Sequence, residues 1–439
     1  MAFQVQHWTL RSIIRLMSST YRTLKTILWN IIVLLLITLL LAYSNQPLAD
    51  PGERVRVFTR PIEFDFASWM TEAVLAKSLQ TSLALPRFLT EEKQSQIVKL
   101  CLILVYKSSQ LNAQIEAIYA DPAISTPEQN SQPYREQLEK FQEYQTVLAP
   151  LCETILQQQT SSILSKLDLA LIGQPIPPVL YHVTPLPYAL IVSPRNVIRQ
   201  DANISLEHGL SLDELIALEK RVEHNLNVSA LVVRIGGIGI YPTMVMSTSD
   251  LPYLTETIAH EWVHNFLTLR PLGLNYETSP ELRTMNETAA SLAGKEIGRA
   301  VLEQYYPEFL PEEPPPTDSA ANAPPQSQPD TPVFDFRKEM HETRVTVDKL
   351  LQDGKIDEAE SYMEMRRQVF LKNGYMIRRL NQAYFAFHGA YADEPGGAAG
   401  EDPVGPAVRE LRAKSSSLAE FLNRISWMTS FEQLQKALK

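Results

Sequence analysis

Apolar residues recur at three- and four-residue spacings along most of the chain, and the spacing changes in one central stretch. The helical period runs over Phe66 to Leu85, Glu91 to Tyr119 and Tyr134 to Leu171. Asp121-Pro122 and a Ser/Thr/Pro/Gln/Asn-rich tract at 125–133 separate the last two. From Gln174-Pro175-Ile176-Pro177-Pro178 onward, short β-rich runs take over. Val179 to Val183, Tyr188 to Val192, Val197 to Ile204, Ala230 to Ile235 and Ile238 to Met246 are predicted strands, broken by Pro, Asn, Asp and Gly. Among them Ser211-Leu212-Asp213-Glu214 is a capping box that opens a helix to about Asn225. Ser249-Asp250-Leu251-Pro252 starts the next helix and Arg270-Pro271-Leu272-Gly273 ends it. Ser279-Pro280-Glu281 begins another, running to about Tyr305. Residues 307–333 are Pro-, Ala- and Ser-rich and read as an exposed linker or loop. Beyond it, Lys338 to Leu351 and Ile356 to Leu371 predict a helical hairpin around Asp353-Gly354-Lys355. Tyr375 to Tyr391, Val408 to Leu411 and Leu418 to Leu438 predict further helices.

The N-terminus has a different pattern. Residues 1–26 carry Arg11, Arg15, Arg22 and Lys25 and no acidic residue, and an apolar run from Ile27 to Tyr43 follows. A basic flank beside such a run predicts a transmembrane signal anchor at 27–43, with 1–26 cytoplasmic and the remainder outside the cytoplasm. Leu41-Ala42-Tyr43-Ser44 is a poor cleavage site, which favours an uncleaved anchor over a signal peptide. The expectation is a single-pass protein of the cell membrane.

A hydrophobic fraction of 45% and a charged fraction of 21% belong to a globular chain, and 439 residues suffice for two or three domains. A net charge of -10 excludes a general nucleic-acid binder, which needs a basic face. Cys101 and Cys152 are the only cysteines. They allow one disulfide or two buried thiols, and no metal cluster.

The chemistry centres on His260-Glu261-Trp262-Val263-His264. On a helix, residues four apart share a face, so both imidazoles can reach one metal ion, with Glu261 beside them to deprotonate a water. Two imidazoles leave zinc under-coordinated, and a catalytic site needs a third protein ligand. Glu287, on the following helix, is the candidate. Positions 287, 291, 294 and 298 are Glu, Ser, Gly and Gly, a small-residue stripe suited to close approach of the motif helix. Glycine inside a helix costs about 1 kcal/mol relative to alanine, so two on one face want a reason.

His260-Glu261-x-x-His264 together with Asn286-Glu287 resembles the gluzincin metallopeptidases related to thermolysin, as does the order of sheet, motif helix and ligand helix. The likeness covers roughly residues 229–300. It implies Zn2+ held by His260, His264 and Glu287, with Glu261 as general base. Where family members often place an orienting aspartate, one turn after the ligand glutamate, this chain has Ser291. The aminopeptidase motif Gly-x-Met-x-Asn is absent; the corresponding stretch reads Gly239-Ile240-Tyr241-Pro242-Thr243-Met244. The tail from Leu380 onward is faintly similar to bacterial putative aminopeptidases.

The implied reaction is hydrolysis of a peptide or protein substrate by a zinc-activated water, its proton taken by Glu261. Tyr384, His388 and Tyr391 fall on one face of the predicted helix and are candidate donors to the oxyanion. The strand Ile238 to Met246 is a candidate edge for pairing with an extended substrate, with Pro242 compatible with an edge. His182, His208, His224 and His341 have no ligand spacing and read as surface or structural. The expected fold is α+β and mostly helical. It comprises a helical domain at 60–172, a zincin-like core at 175–306 with a small, mainly antiparallel sheet, and a helical region at 334–439 that completes the active site. A competing class is a non-catalytic zincin-like binding module tethered to a membrane. Hydrolysis of a non-peptide amide is a further alternative.

Overall fold

In the computed structural model of the chain, helices are laid over small sheets. The structure describes residues 25–38, 50–83, 85–120, 124–310, 334–391 and 400–439. Residues 1–57 and 58–439 form separate units. Near the N-terminus, residues 25–38 are helical, and α1 (Pro51–Thr59) follows.

Three helices come next in the chain, α2 (Phe66–Leu83), α3 (Glu91–Ala120) and α4 (Pro127–Lys166). A disulfide between Cys101 and Cys152 joins α3 to α4. Glu153 of α4 is buried and saturated, accepting from Lys77 of α2, from the Val183 N–H at 2.7 Å and from His182 Nδ1 at 3.0 Å. His182 is thus a structural residue. Buried charges persist when paired and hydrogen-bonded in this way.

The strands form three separate sheets. A two-stranded ribbon pairs β1 (Ala170–Leu171) with β2 (Gln174–Pro175). The antiparallel sheet β5-β4-β6 comprises β4 (Tyr188–Pro194), β5 (Ala202–Leu206) and β6 (Val228–Arg234), with Tyr188 opposite both Leu206 and Arg234. The third sheet has the order β3-β8-β7. In it β3 (Tyr181–Val183) runs parallel to β8 (Thr243–Val245), and β7 (Gly237–Ile238) lies antiparallel at its edge. Between β5 and β6, α5 (Leu212–Leu226) starts at Ser211 with both halves of the capping box made.

The two helices that matter most are α6 (Leu251–Thr268) and, after the single turn α7 (Pro271–Leu274), α8 (Pro280–Tyr305). Asp250 caps α6 by accepting the Tyr253 N–H at 3.0 Å, and Ser279 caps α8 by accepting the Leu282 N–H at 3.3 Å. The small stripe on α8 lets them touch. A β-carbon built on Gly298 would stand 2.8 Å from the backbone nitrogen of Glu256 on α6. Ile258, Trp262 and Phe266 of α6 and Met285, Ala289 and Ile297 of α8 share one core with Ile155 and Leu164 of α4. The same core takes in Val408, Phe421 and Leu434 of the last three helices, α12 (Val404–Lys414), α13 (Leu418–Ser426) and α14 (Phe431–Leu438). Before them, α9 (Phe336–Gln352) and α10 (Ile356–Lys372) form a hairpin. α11 (Gln382–His388) lies on β4 and β6, where Asn381 Nδ2 donates to Ala230 O at 3.0 Å.

Several expectations need correction. The transmembrane anchor is not supported: among the described residues no helix is long and apolar enough to cross a membrane. The extracytoplasmic location loses its basis with it. Nearly all of the basic segment, residues 39–43 of the apolar run, and 311–333 of the Pro-rich tract lie outside the described residues. The single sheet is three small ones, and one strand pair is parallel. Ile238 to Met246 is not one strand; β8 is central in its sheet and only β7 is an edge. The loop expected up to residue 133 is helical from Pro127, with Pro133 inside α4. The helix expected over Tyr375 to Tyr391 is confined to Gln382–His388, because Asn381 caps it by accepting the Tyr384 N–H at 3.0 Å. The last helix divides at Trp427–Ser430.

Candidate metal centre and its cleft

His260 and His264 project from the second half of α6 toward the face that α8 presents at Glu287. The two Nε2 atoms are 3.0 Å apart, and Glu287 Oε2 is 3.6 Å from one and 3.4 Å from the other. Ligands about 2.0–2.1 Å from a tetrahedral ion stand about 3.3–3.4 Å from each other, so the triangle is that of one face of such a site. His260, His264 and Glu287 could hold a metal ion.

On His264 and Glu287 the atoms facing away from this triangle are satisfied. His264 Nδ1 lies 2.8 Å from Asn286 Oδ1, which accepts its proton and turns Nε2 inward. Glu287 Oε1 accepts the Tyr276 hydroxyl. Glu287 Oε2, fully buried, has no hydrogen-bond partner. A buried carboxylate oxygen left unpaired is costly unless a cation meets it, so the donor set fits a metal. In the metal-free protein burial works against charge on Glu287, but the two imidazoles hold its carboxyl well below the usual range. Burial likewise opposes charge on His264. Glu287, Glu261 and the Asn286 bond overcome it and raise that imidazole to about 9.

Glu261 borders the same space. Its carboxylate has no protein hydrogen-bond partner among the described residues, and burial raises its pKa against the pull of His260 and His264. β7 crosses directly above it. A β-carbon on Gly237 would stand 2.6 Å from Glu261 Oε1, so this backbone must be glycine to pass so close. Asn265 ties the loop after β7 and the start of β8 to α6, donating to Ile240 O at 3.3 Å and to Thr243 Oγ1 at 3.0 Å.

These groups line a cleft of roughly 430 Å³ with Ile238–Ile240 on one wall and Phe387 and Tyr391 on another. The three candidate oxyanion donors are separated. Tyr391 reaches the cleft, its ring 6.4 Å from that of His260. Burial and the Glu287 and Glu261 carboxylates push its pKa well above the ordinary value, so its hydroxyl stays a donor. Tyr384 and His388 do not line the cleft; their rings pack on each other with centroids 4.3 Å apart. Burial lowers the His388 imidazole to about 4, which keeps it neutral.

Two cleft residues escaped the sequence reading. Tyr276 sits in the connection between α7 and α8, where no periodicity marks it. Arg283 lies four residues before Glu287 on α8, a spacing that does place both on one face.

Comparison with family models, with curated proteins and with solved structures yields no match for the chain. The likeness to gluzincins therefore rests on the paired motif and on the order of sheet, motif helix and ligand helix.

Proposed function

We propose that the protein is a zinc-dependent peptidase of gluzincin type. The observation that carries the reading is a convergent His2Glu triangle with an orphaned carboxylate oxygen, set beside a second carboxylate that has no structural partner. A purely structural metal site has no use for Glu261.

His260, His264 and Glu287 hold the zinc, and its Lewis acidity supplies polarisation of the scissile carbonyl and of the attacking water. Glu261 accepts the proton from the water and passes it to the departing amine. Its raised pKa suits both halves of that transfer. Tyr391 donates its hydroxyl to the developing oxyanion. The edge strand β7 and the turn to Ile240 present backbone groups along the cleft, where an extended peptide can pair. Asn286 and Tyr276 act through the ligands they orient.

The test uses the full chain. Zinc is counted after reconstitution, and hydrolysis of a random peptide mixture is followed by mass spectrometry for wild type and Glu261→Gln. The expected result is one zinc per chain in both proteins, with turnover reduced roughly 10²–10⁴-fold in the variant. A wild type that binds no zinc, or a variant that cleaves as well as wild type, overturns the proposal.

A further inference from the structure

The Arg283 guanidinium is the feature of the cleft that the peptidase reading leaves unused. The residue is only 8% exposed, yet it lines the cleft that holds Glu261 and Glu287. Its hydrogen bond to protein runs from Nη2 to Ala386 O at 2.6 Å, and no carboxylate among the described residues pairs with it. A guanidinium has five N–H donors, so most of the fork is unmatched. Three half-buried arginines elsewhere in this fold meet carboxylates. Arg195 pairs with Glu360 at 2.7 Å, Arg412 with Glu296 at 2.7 Å, and Arg379 with Glu223 at 2.8 Å. Burying a charge without a counter-ion costs several kcal/mol. Arg283 is thus a cation kept dry and unpaired at the wall of a reaction site, and its charge acts on the Tyr276 and Tyr391 hydroxyls that border the metal ligands.

We infer that Arg283 is a specificity residue that binds a carboxylate of the substrate. This rests on the peptidase reading and adds the class of peptide taken. Arg283 stands one helical turn, about 6 Å, from Glu287. An extended chain advances about 3.3–3.6 Å per residue, so the carboxylate lies one or two residues from the scissile bond. It is either the free C-terminus of a peptide cut near its end or the side chain of an Asp or Glu. Planar, bidentate recognition of this anion is what a guanidinium fork does and an ammonium does less well.

The experiment compares random peptide mixtures with free and with amidated C-termini, each in a second version that has Asn and Gln in place of Asp and Glu. Wild type, Arg283→Gln and Arg283→Lys are assayed. Binding of the same mixtures to Glu261→Gln, with and without Arg283→Gln, is measured separately by calorimetry. Wild type should prefer one carboxylate source over its neutral counterpart by roughly 10- to 100-fold in kcat/KM. Arg283→Gln should abolish the preference while still cleaving the neutral peptides, with Arg283→Lys restoring part of it. The binding arm should show the same loss. Preference for free over amidated ends identifies the C-terminus, and preference for acidic over amide side chains identifies the other source. Equal cleavage of all four mixtures by wild type overturns the inference and leaves the peptidase reading standing. So does a uniform loss in Arg283→Gln with the preference retained. Should no mixture be cleaved, the peptidase reading falls, and the binding arm still decides whether Arg283 recognises a carboxylate.

Discussion

Gly298 and Gly294 separate what holds the helices together from what would hold the metal of the proposed site. At Gly298 an added β-carbon would lie 2.8 Å from the backbone nitrogen of Glu256 and 2.9 Å from its α-carbon. Ordinary contact begins at 3.4 Å, so α6 and α8 must part by about 0.6 Å (3.4 Å less 2.8 Å). Both atoms belong to a helix backbone, which cannot turn aside as a side chain can. Overpacking of this kind costs about 1–3 kcal/mol, and alanine returns about 1 kcal/mol of helix propensity. With backbone on the far side the upper figure applies, so Gly298→Ala should lose about 2 kcal/mol. At Gly294 the nearest atom is His260 Cβ at 3.0 Å, a smaller intrusion but one that presses on a ligand. Gly294→Ala should therefore lose less stability and more zinc affinity than Gly298→Ala. Urea unfolding of the metal-free proteins gives the first quantity, and competition with a chromophoric chelator gives the second. A Gly298→Ala protein as stable as wild type, or two variants with the same ratio of stability loss to affinity loss, would refute the helix-contact reasoning.

Other predictions follow from the same geometry. Asn286→Ala leaves the His264 Nδ1 proton without its acceptor and should weaken zinc binding about 10- to 100-fold in the same competition assay; unchanged affinity would mean that Asn286 does not orient the ligand. In the metal-free protein, thermal stability should fall as pH rises from 6.5 toward about 9, because a base raised in the folded state stabilises below its unfolded value and ceases to above its folded one. Glu287, held low, adds stability that is lost only in acid, so a Tm that rises across the 6.5–9 window would contradict the His264 assignment. The Cys101–Cys152 bridge closes a loop over a sequence separation of 51. Replacing both cysteines by serine should cost about 4 kcal/mol in the chain-entropy account, read as a lowered denaturation midpoint. A midpoint that does not move would argue that the bridge is absent in the folded protein.

The starts of the helices were legible because their chemistry is local. Asp250, Ser279 and the Ser211–Glu214 box each cap the helix that their spacing predicts. The grouping of His260, His264 and Glu287, which could hold a metal ion, was legible because a four-residue spacing fixes a face and the Gly294–Gly298 stripe announces a close helix contact. What failed depends on partners distant in sequence or on where a helix stops. Pro133 reads as a breaker, yet α4 runs on through it and through Pro150, each giving up one intrahelical hydrogen bond. The Tyr384, His388 and Tyr391 spacing assumed one unbroken helix. α11 ends at His388, so Tyr384 and His388 stack together while Tyr391 turns into the cleft. The apolar run at 27–43 suggested a membrane span from composition, whereas among the described residues no helix is long and apolar enough to cross one.

The absence of an aspartate one turn after Glu287 looked like a gap in the orientation of the ligands. The structure fills it from the residue before Glu287. Asn286 and Glu287 are adjacent on α8, so their side chains diverge by about 100°, one reaching His264 Nδ1 and the other the ligand triangle. In the proposed site a single helix would thereby supply both a ligand and the group that orients another ligand. Tyr276 then fixes the remaining oxygen of Glu287 from outside the helix. Glu287 is in this way committed on one oxygen and uncommitted on the other, and the uncommitted one meets two Nε2 atoms at 3.4 and 3.6 Å. Without a partner this arrangement leaves a buried acceptor unsatisfied, and a group carrying positive charge at its centre removes that cost. Protonation of His264 does so in part, which is why its pKa is raised; a metal ion does so for all three donors at once.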